Sequence, residues 1–204
     1  MKNGAKVFVA GSRRLSRLDA EVRRRLDNIV EKHLAVLMGD ANGADKAVQE
    51  YLNTKKYGEV TVFCMEGECR NNIGHWPTHD VQAARPSKRD FAYYSTKDRA
   101  MAEEADYGLM LWDGQSRGTL RNIIDLVHRG KTVVVYTAPD RSFHHLRRSP
   151  DLSRMLCHYN LSALHELEGE PAGAQAGGAS SRRGGSALKP GFSKAHRKTI
   201  EGVS

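Results

Sequence analysis

Five short apolar runs, four of them leading directly into or out of a helical pattern, restrict this chain to a narrow set of architectures. The first, over residues 5–10, shows no polar alternation, so a strand buried on both faces is expected. A helix is expected from about Asp19 to His33, where Val22, Leu26, Ile29 and His33 fall on one stripe. Strand two is Ala35–Met38. The next helix runs from about Gly43 to Tyr51, with Ala44, Ala47, Val48 and Tyr51 inward. Strand three is Val60–Cys64, and a helix from about Ser95 to Glu104 precedes strand four, Tyr107–Trp112. After Gly118 a helix places Leu120, Ile123, Ile124 and Val127 on one face. Gly130 caps it, and strand five is Thr132–Tyr136. This alternation specifies an α/β fold: a Rossmann-like, doubly wound, mainly parallel sheet of about five strands with helices on both faces.

In such a sheet the loops that leave the strands gather at one end, and ligands bind there. Three of these loops carry glycine. They read Gly11-Ser12-Arg13-Arg14, Gly39-Asp40-Ala41-Asn42-Gly43-Ala44-Asp45, and Asp113-Gly114-Gln115-Ser116-Arg117-Gly118-Thr119. Glycine lets a ligand approach bare backbone, and the following helix start offers unpaired N–H groups suited to an anion. Arg13 offers a guanidinium fork for phosphate oxygens. Asp40 or Asp45 would take ribose hydroxyls, although Asp45 also suits the first turn of a helix for its own sake. The second loop is not a P-loop, because no Gly-Lys-Ser/Thr follows. Asp113 ends its strand at the pocket floor, within reach of a sugar. Trp112 is read as core first and as a base-stacking residue second.

These segments, together with Lys97-Asp98-Arg99-Ala100-Met101-Ala102-Glu103-Glu104-Ala105-Asp106, resemble the YspA-like branch of the SLOG superfamily. That superfamily is named for the Smf/DprA and Lonely Guy proteins. The resemblance covers roughly Ala5–Tyr136 and is most specific over Arg99–Thr119. It implies a Rossmann-like fold that binds a nucleotide-derived ligand of the NAD, ADP-ribose or nucleoside monophosphate class. The ligand-binding set it implies is Gly11, Ser12, Arg13, Gly39, Asp40, Asn42, Gly43, Asp45, Arg99, Asp113, Gly114, Ser116, Gly118 and Thr119. Some members cleave the base–sugar bond; others are ligand sensors. Hydrolytic members carry a catalytic Glu two or three residues after Gly-Thr, where this chain has Leu120-Arg121-Asn122. An N-glycosidic cleavage needs a carboxylate to stabilise developing positive charge. Asn122 cannot supply it, so binding is favoured over turnover. Asp113 and Asp40 are the catalytic candidates, with Asp98 behind them. Lys97 and Arg99 would approach phosphate from the far side or form a solvated charged face. Relatives often form dimers, so a homodimer is implied.

Residues 65–90 form a long insertion rich in turn formers. Cys64, Cys69, His75 and His79 are the right types for zinc, but the gap from Cys69 to His75 is unlike a finger and Cys64 suits a core strand. The preferred reading has no metal and no cofactor. Cys69, Arg70 and Asn71 line the pocket, with His75 and Trp76 as a lid or base platform.

The chain carries 32 Lys/Arg against 24 Asp/Glu. From Pro171 onward there are six basic residues and one acid, which leaves 26 and 23 in residues 1–170. Most of the excess therefore sits from Pro171 onward, within a Gly/Ala/Ser/Arg tail over 168–204 that is expected to be disordered, behind a domain over 1–167. Nucleic-acid binding through that tail is a further alternative. No apolar run reaches the roughly 18 residues of a membrane helix, and no signal peptide opens the chain. Three cysteines argue against a disulfide framework, and the expected location is cytoplasmic.

Overall fold

The sheet has seven strands in the order β4-β3-β2-β1-β5-β6-β7. It is seen in a computed structural model that describes residues 4–83 and 91–159. The strands are β1 (Lys6–Gly11), β2 (Ala35–Met38), β3 (Val60–Met65), β4 (Thr78–Val81), β5 (Tyr107–Trp112), β6 (Thr132–Thr137) and β7 (Ser142–Leu146). The helices are α1 (Ala20–Glu31), α2 (Ala44–Thr54), α3 (Phe91–Glu104), α4 (Arg117–His128) and α5 (Ser149–Leu156). All neighbouring pairs are parallel except β6 with β7.

Both faces of the sheet are covered. Side chains alternate across a strand, so β1 sends Phe8 and Ala10 to one face and Val7 and Val9 to the other. The Phe8 face packs with Met101 of α3, Leu120, Ile123 and Leu126 of α4, and Leu152 of α5. The Val7 face packs with Val22 and Leu26 of α1 and Val48 and Leu52 of α2. Each fully buried aliphatic side chain contributes about 1.5–3 kcal/mol, so two complete cores hold the sheet between its helices. No helix among the described residues is long and apolar enough to cross a membrane.

Several details depart from the sequence reading. Two edge strands raise the expected five to seven. The insertion is not structureless, because β4 lies inside it and pairs with β3. Helix α1 stops at Glu31, and His33 lies beyond it, exposed and at φ 51°, rather than on the apolar stripe. Helix α3 begins at Phe91, a full turn before Ser95. Against the expectation from cysteine content, Cys64 and Cys69 are joined by a disulfide, with Cα atoms 5.0 Å apart. Cys157 is free. The end of the expected domain, over 160–167, and the tail over 168–204 lie outside the described residues.

Candidate functional site

Strand order fixes where a ligand cleft belongs. From β1 the chain moves outward through β2 and β3; at β5, beside β1 on the other side, it turns the opposite way. The loops after β1 and β5 therefore diverge and leave a crevice over their carboxyl ends. A cleft of about 460 Å³ occupies that position. This volume falls in the range of small-ligand sites.

Three loops build it. Gly11, Ser12, Arg13 and Arg14 come from the end of β1. Ala41 and Asp45 come from the loop after β2 and the start of α2. Asp113, Ser116, Gly118 and Thr119 come from the end of β5 and the start of α4. The loops are tied to one another. Ser12 N–H donates to the Leu111 carbonyl at 2.9 Å, and the Ser12 carbonyl accepts from Ala44 N–H at 3.1 Å. The Ser12 hydroxyl donates to Asp113 Oδ2 at 2.7 Å. Arg14 donates to Gln115 Oε1 at 2.5 Å. Gly43, at φ 86°, lies so close to the Arg13 backbone that a Cβ there would overlap it.

The third loop is shaped by its own side chains. Asp113 Oδ1 accepts from the backbone N–H groups of Gln115 (3.1 Å) and Ser116 (2.7 Å), closing a turn through Gly114. Ser116 is the N-cap of α4, and its hydroxyl accepts from Thr119 N–H at 3.4 Å. Trp112 is core rather than a stacking surface: it is 2% exposed, and its indole N–H donates to the Ser116 carbonyl at 3.1 Å.

The cleft holds two carboxylates whose surroundings act in opposite directions. Burial pushes the Asp113 carboxyl up, but the Ser12 hydroxyl and the loop N–H groups outweigh it and leave it below the ordinary range. Asp45 is 6% exposed, and burial dominates there, raising its pKa to about 6 despite the nearby Lys97 ammonium. Asp45 Oδ2 accepts from Ala41 N–H at 3.2 Å. Asp45 Oδ1 is buried without a hydrogen-bond partner.

Behind Asp45 lies a cluster of buried charge. Lys97, 3% exposed, sits 3.2 Å from Asp98 Oδ1 and 3.7 Å from Asp40 Oδ1. Burial works against its charge, but Asp98, Asp45 and Asp40 outweigh it and raise its pKa. Lys97 is thus neither a solvated surface residue nor a wall of the cleft. Arg70 grips Asp40 through Nε at 3.0 Å and a terminal nitrogen at 2.6 Å, and its backbone N–H adds a bond at 3.0 Å. Burial pushes Asp40 up, yet Arg70 and Lys97 hold its carboxyl below the ordinary range. Gly39 leaves room for this cluster: a Cβ there would stand 2.6 Å from Asp45 Oδ2 and 2.7 Å from Lys97 Nζ.

The remaining expected site residues separate. Asp40, Cys69 and Arg70 line a second cavity, also about 460 Å³, which shares Tyr94 with the first. Asn42 is exposed and accepts from Asn71 Nδ2 at 3.1 Å; Asn71 also donates to the Asp40 carbonyl. Neither lines either cavity, and Arg99, also exposed, does not either. Trp76 is core, 7% exposed, with its N–H on the Tyr57 carbonyl at 2.8 Å; His75 is exposed. His79 stacks on Phe63 with ring centres 4.4 Å apart, and no cluster able to hold a metal ion occurs among the described residues.

Sequence reasoning missed Phe91 and Tyr94, the aromatic residues that line the main cleft. Continuing α3 one turn upstream of Ser95 puts both on one face, and Asp90, a residue type favoured just before a helix, was the signal in the sequence that could have marked the earlier start. Asn122 also lines the cleft and donates to Asp98 Oδ2 at 3.2 Å.

No family model matches this chain, and no curated protein matches it. Among solved structures it is similar to DNA processing protein A from Helicobacter pylori, described for its single-stranded DNA binding mode. The TM-score is 0.53 at 12% identity, with 81% of each chain covered. At that identity the likeness is one of fold.

Proposed function

We propose that this chain is a SLOG-type domain of the YspA-like branch that binds or senses a nucleotide-derived ligand of the NAD, ADP-ribose or nucleoside monophosphate class. The observation that carries the reading is the position of the cleft. It sits over β1 and β5 at the switch point, between the Ser12–Arg14 loop and the start of α4. A phosphate there meets the Arg13 guanidinium and the start of α4 at Gly118, where the helix dipole favours an anion. A ribose hydroxyl reaching Asp45 Oδ1 would supply the donor which that oxygen lacks.

Binding is favoured over base–sugar hydrolysis. At the position where hydrolytic relatives carry a carboxylate, Asn122 is an amide already bonded to Asp98. Melting shifts with a panel of nucleotides, followed by analysis of the same samples for free base, test the reading. Stabilisation by a ligand without base release is expected, and it should disappear in Arg13→Ala. Base release that is lost in Asp113→Asn would establish the enzyme instead.

A second reading, single-stranded nucleic acid, is favoured by the likeness to DNA processing protein A and by Arg13 and Arg70, which lie 5.9 and 4.4 Å from the Tyr94 ring centre. It predicts binding of an oligonucleotide that weakens steeply with salt.

A further inference from the structure

We propose that helix α3 supplies the ring-recognition subsite of this cleft: Phe91 and Tyr94 stack the planar base of a nucleotide whose phosphate lies at the loops after β1 and β5. The inference rests on the nucleotide-binding reading above and adds residues that the glycine loops do not contain.

Phe91 is 50% exposed, and Tyr107 is the other large hydrophobic residue among the described residues that is similarly open. A phenylalanine half in water contributes little to folding, so its place at the cleft calls for another account. Residues three apart share a helix face, which puts Tyr94 beside it in the same cleft. The Phe91 ring adjoins the anion site: a Cβ built on Gly118 would be 3.6 Å from Phe91 Cε2. Guanidinium groups attend both rings. Arg121 lies 5.5 Å from the Phe91 ring centre, and Arg13 and Arg70 lie 5.9 and 4.4 Å from that of Tyr94. Aromatic faces interleaved with guanidinium planes are the chemistry that stacks nucleobases. The two tryptophans that would otherwise serve are buried in the cores.

Titration calorimetry of the full chain with adenosine 5′-monophosphate, uridine 5′-monophosphate and ribose 5-phosphate tests this. The wild type should bind the nucleotides about tenfold or more tightly than ribose 5-phosphate. Phe91→Ala should lose about tenfold for the nucleotides and nothing for ribose 5-phosphate, while Phe91→Trp restores the preference. Because the residue is half exposed, Phe91→Ala should melt within about 2 °C of the wild type. Equal affinity of the wild type for nucleotides and ribose 5-phosphate would overturn the stacking subsite alone. So would a Phe91→Ala variant that loses both ligands equally or neither. If the wild type binds none of the three, the nucleotide reading of the cleft falls with it.

Discussion

Asp45→Asn should make this protein more stable at neutral pH. The Asp45 carboxyl is buried, has one oxygen without a partner, and titrates at about 6 rather than at an ordinary 3.8. A raised carboxyl pKa means that the folded state holds a proton the unfolded chain has released. Stability from this residue is therefore full below about 4 and falls as pH rises toward and through about 6. At about 1.4 kcal/mol per pH unit, the difference between 3.8 and about 6 amounts to about 3 kcal/mol of destabilisation at pH 8. Asparagine keeps an acceptor for Ala41 N–H and carries no charge to desolvate. Lys97 retains Asp40 and Asp98 as counter-charges in the variant. Urea unfolding of both proteins from pH 4 to pH 8 measures the effect. The two should be nearly equal at pH 4, and the variant should gain about 3 kcal/mol by pH 8, or roughly 6–12 °C in melting temperature. A gain that does not change with pH would refute the reasoning, as would a variant less stable at pH 8.

Asp40 carries the opposite sign: its lowered carboxyl contributes stability above the ordinary carboxylate range that is lost as pH falls through its folded value. Asp40→Ala removes the acceptor of three Arg70 hydrogen bonds, while Lys97 keeps Asp98 and Asp45, and should cost about 1–3 kcal/mol by urea unfolding. Arg70→Ala should cost only about 1 kcal/mol, since that side chain is 35% exposed and Lys97 remains by Asp40. Alkylation of the unfolded, unreduced protein should label Cys157 alone, with Cys64 and Cys69 labelled only after reduction; mass spectrometry reads the count.

The central strands were legible because each is apolar on both faces, a pattern that few other structures produce. The edge strands were not. β4 is Thr-His-Asp-Val and β7 is Ser-Phe-His-His-Leu, and an edge carries polar residues with no core-like run to mark it. The start of α3 was obscured for a related reason. Its buried face includes Ser95 and Lys97 beside Tyr93 and Met101, so no apolar stripe announces the helix. The convergence of the Ser12, Asp45 and Thr119 loops follows from parallel winding and could be anticipated. The clasp of Arg70 on Asp40 spans 30 positions and depends on folding, so spacing alone gives no sign of it.

The ammonium of Lys97 has a mechanical consequence. It anchors α3 to the loop after β2, while Ser12 fastens the first loop to both the second and the third. The walls of the crevice are thus set as the chain folds, and little ordering remains for an arriving molecule to impose. A ligand bound as proposed would be selected by fit, and the backbone should be nearly the same empty and filled.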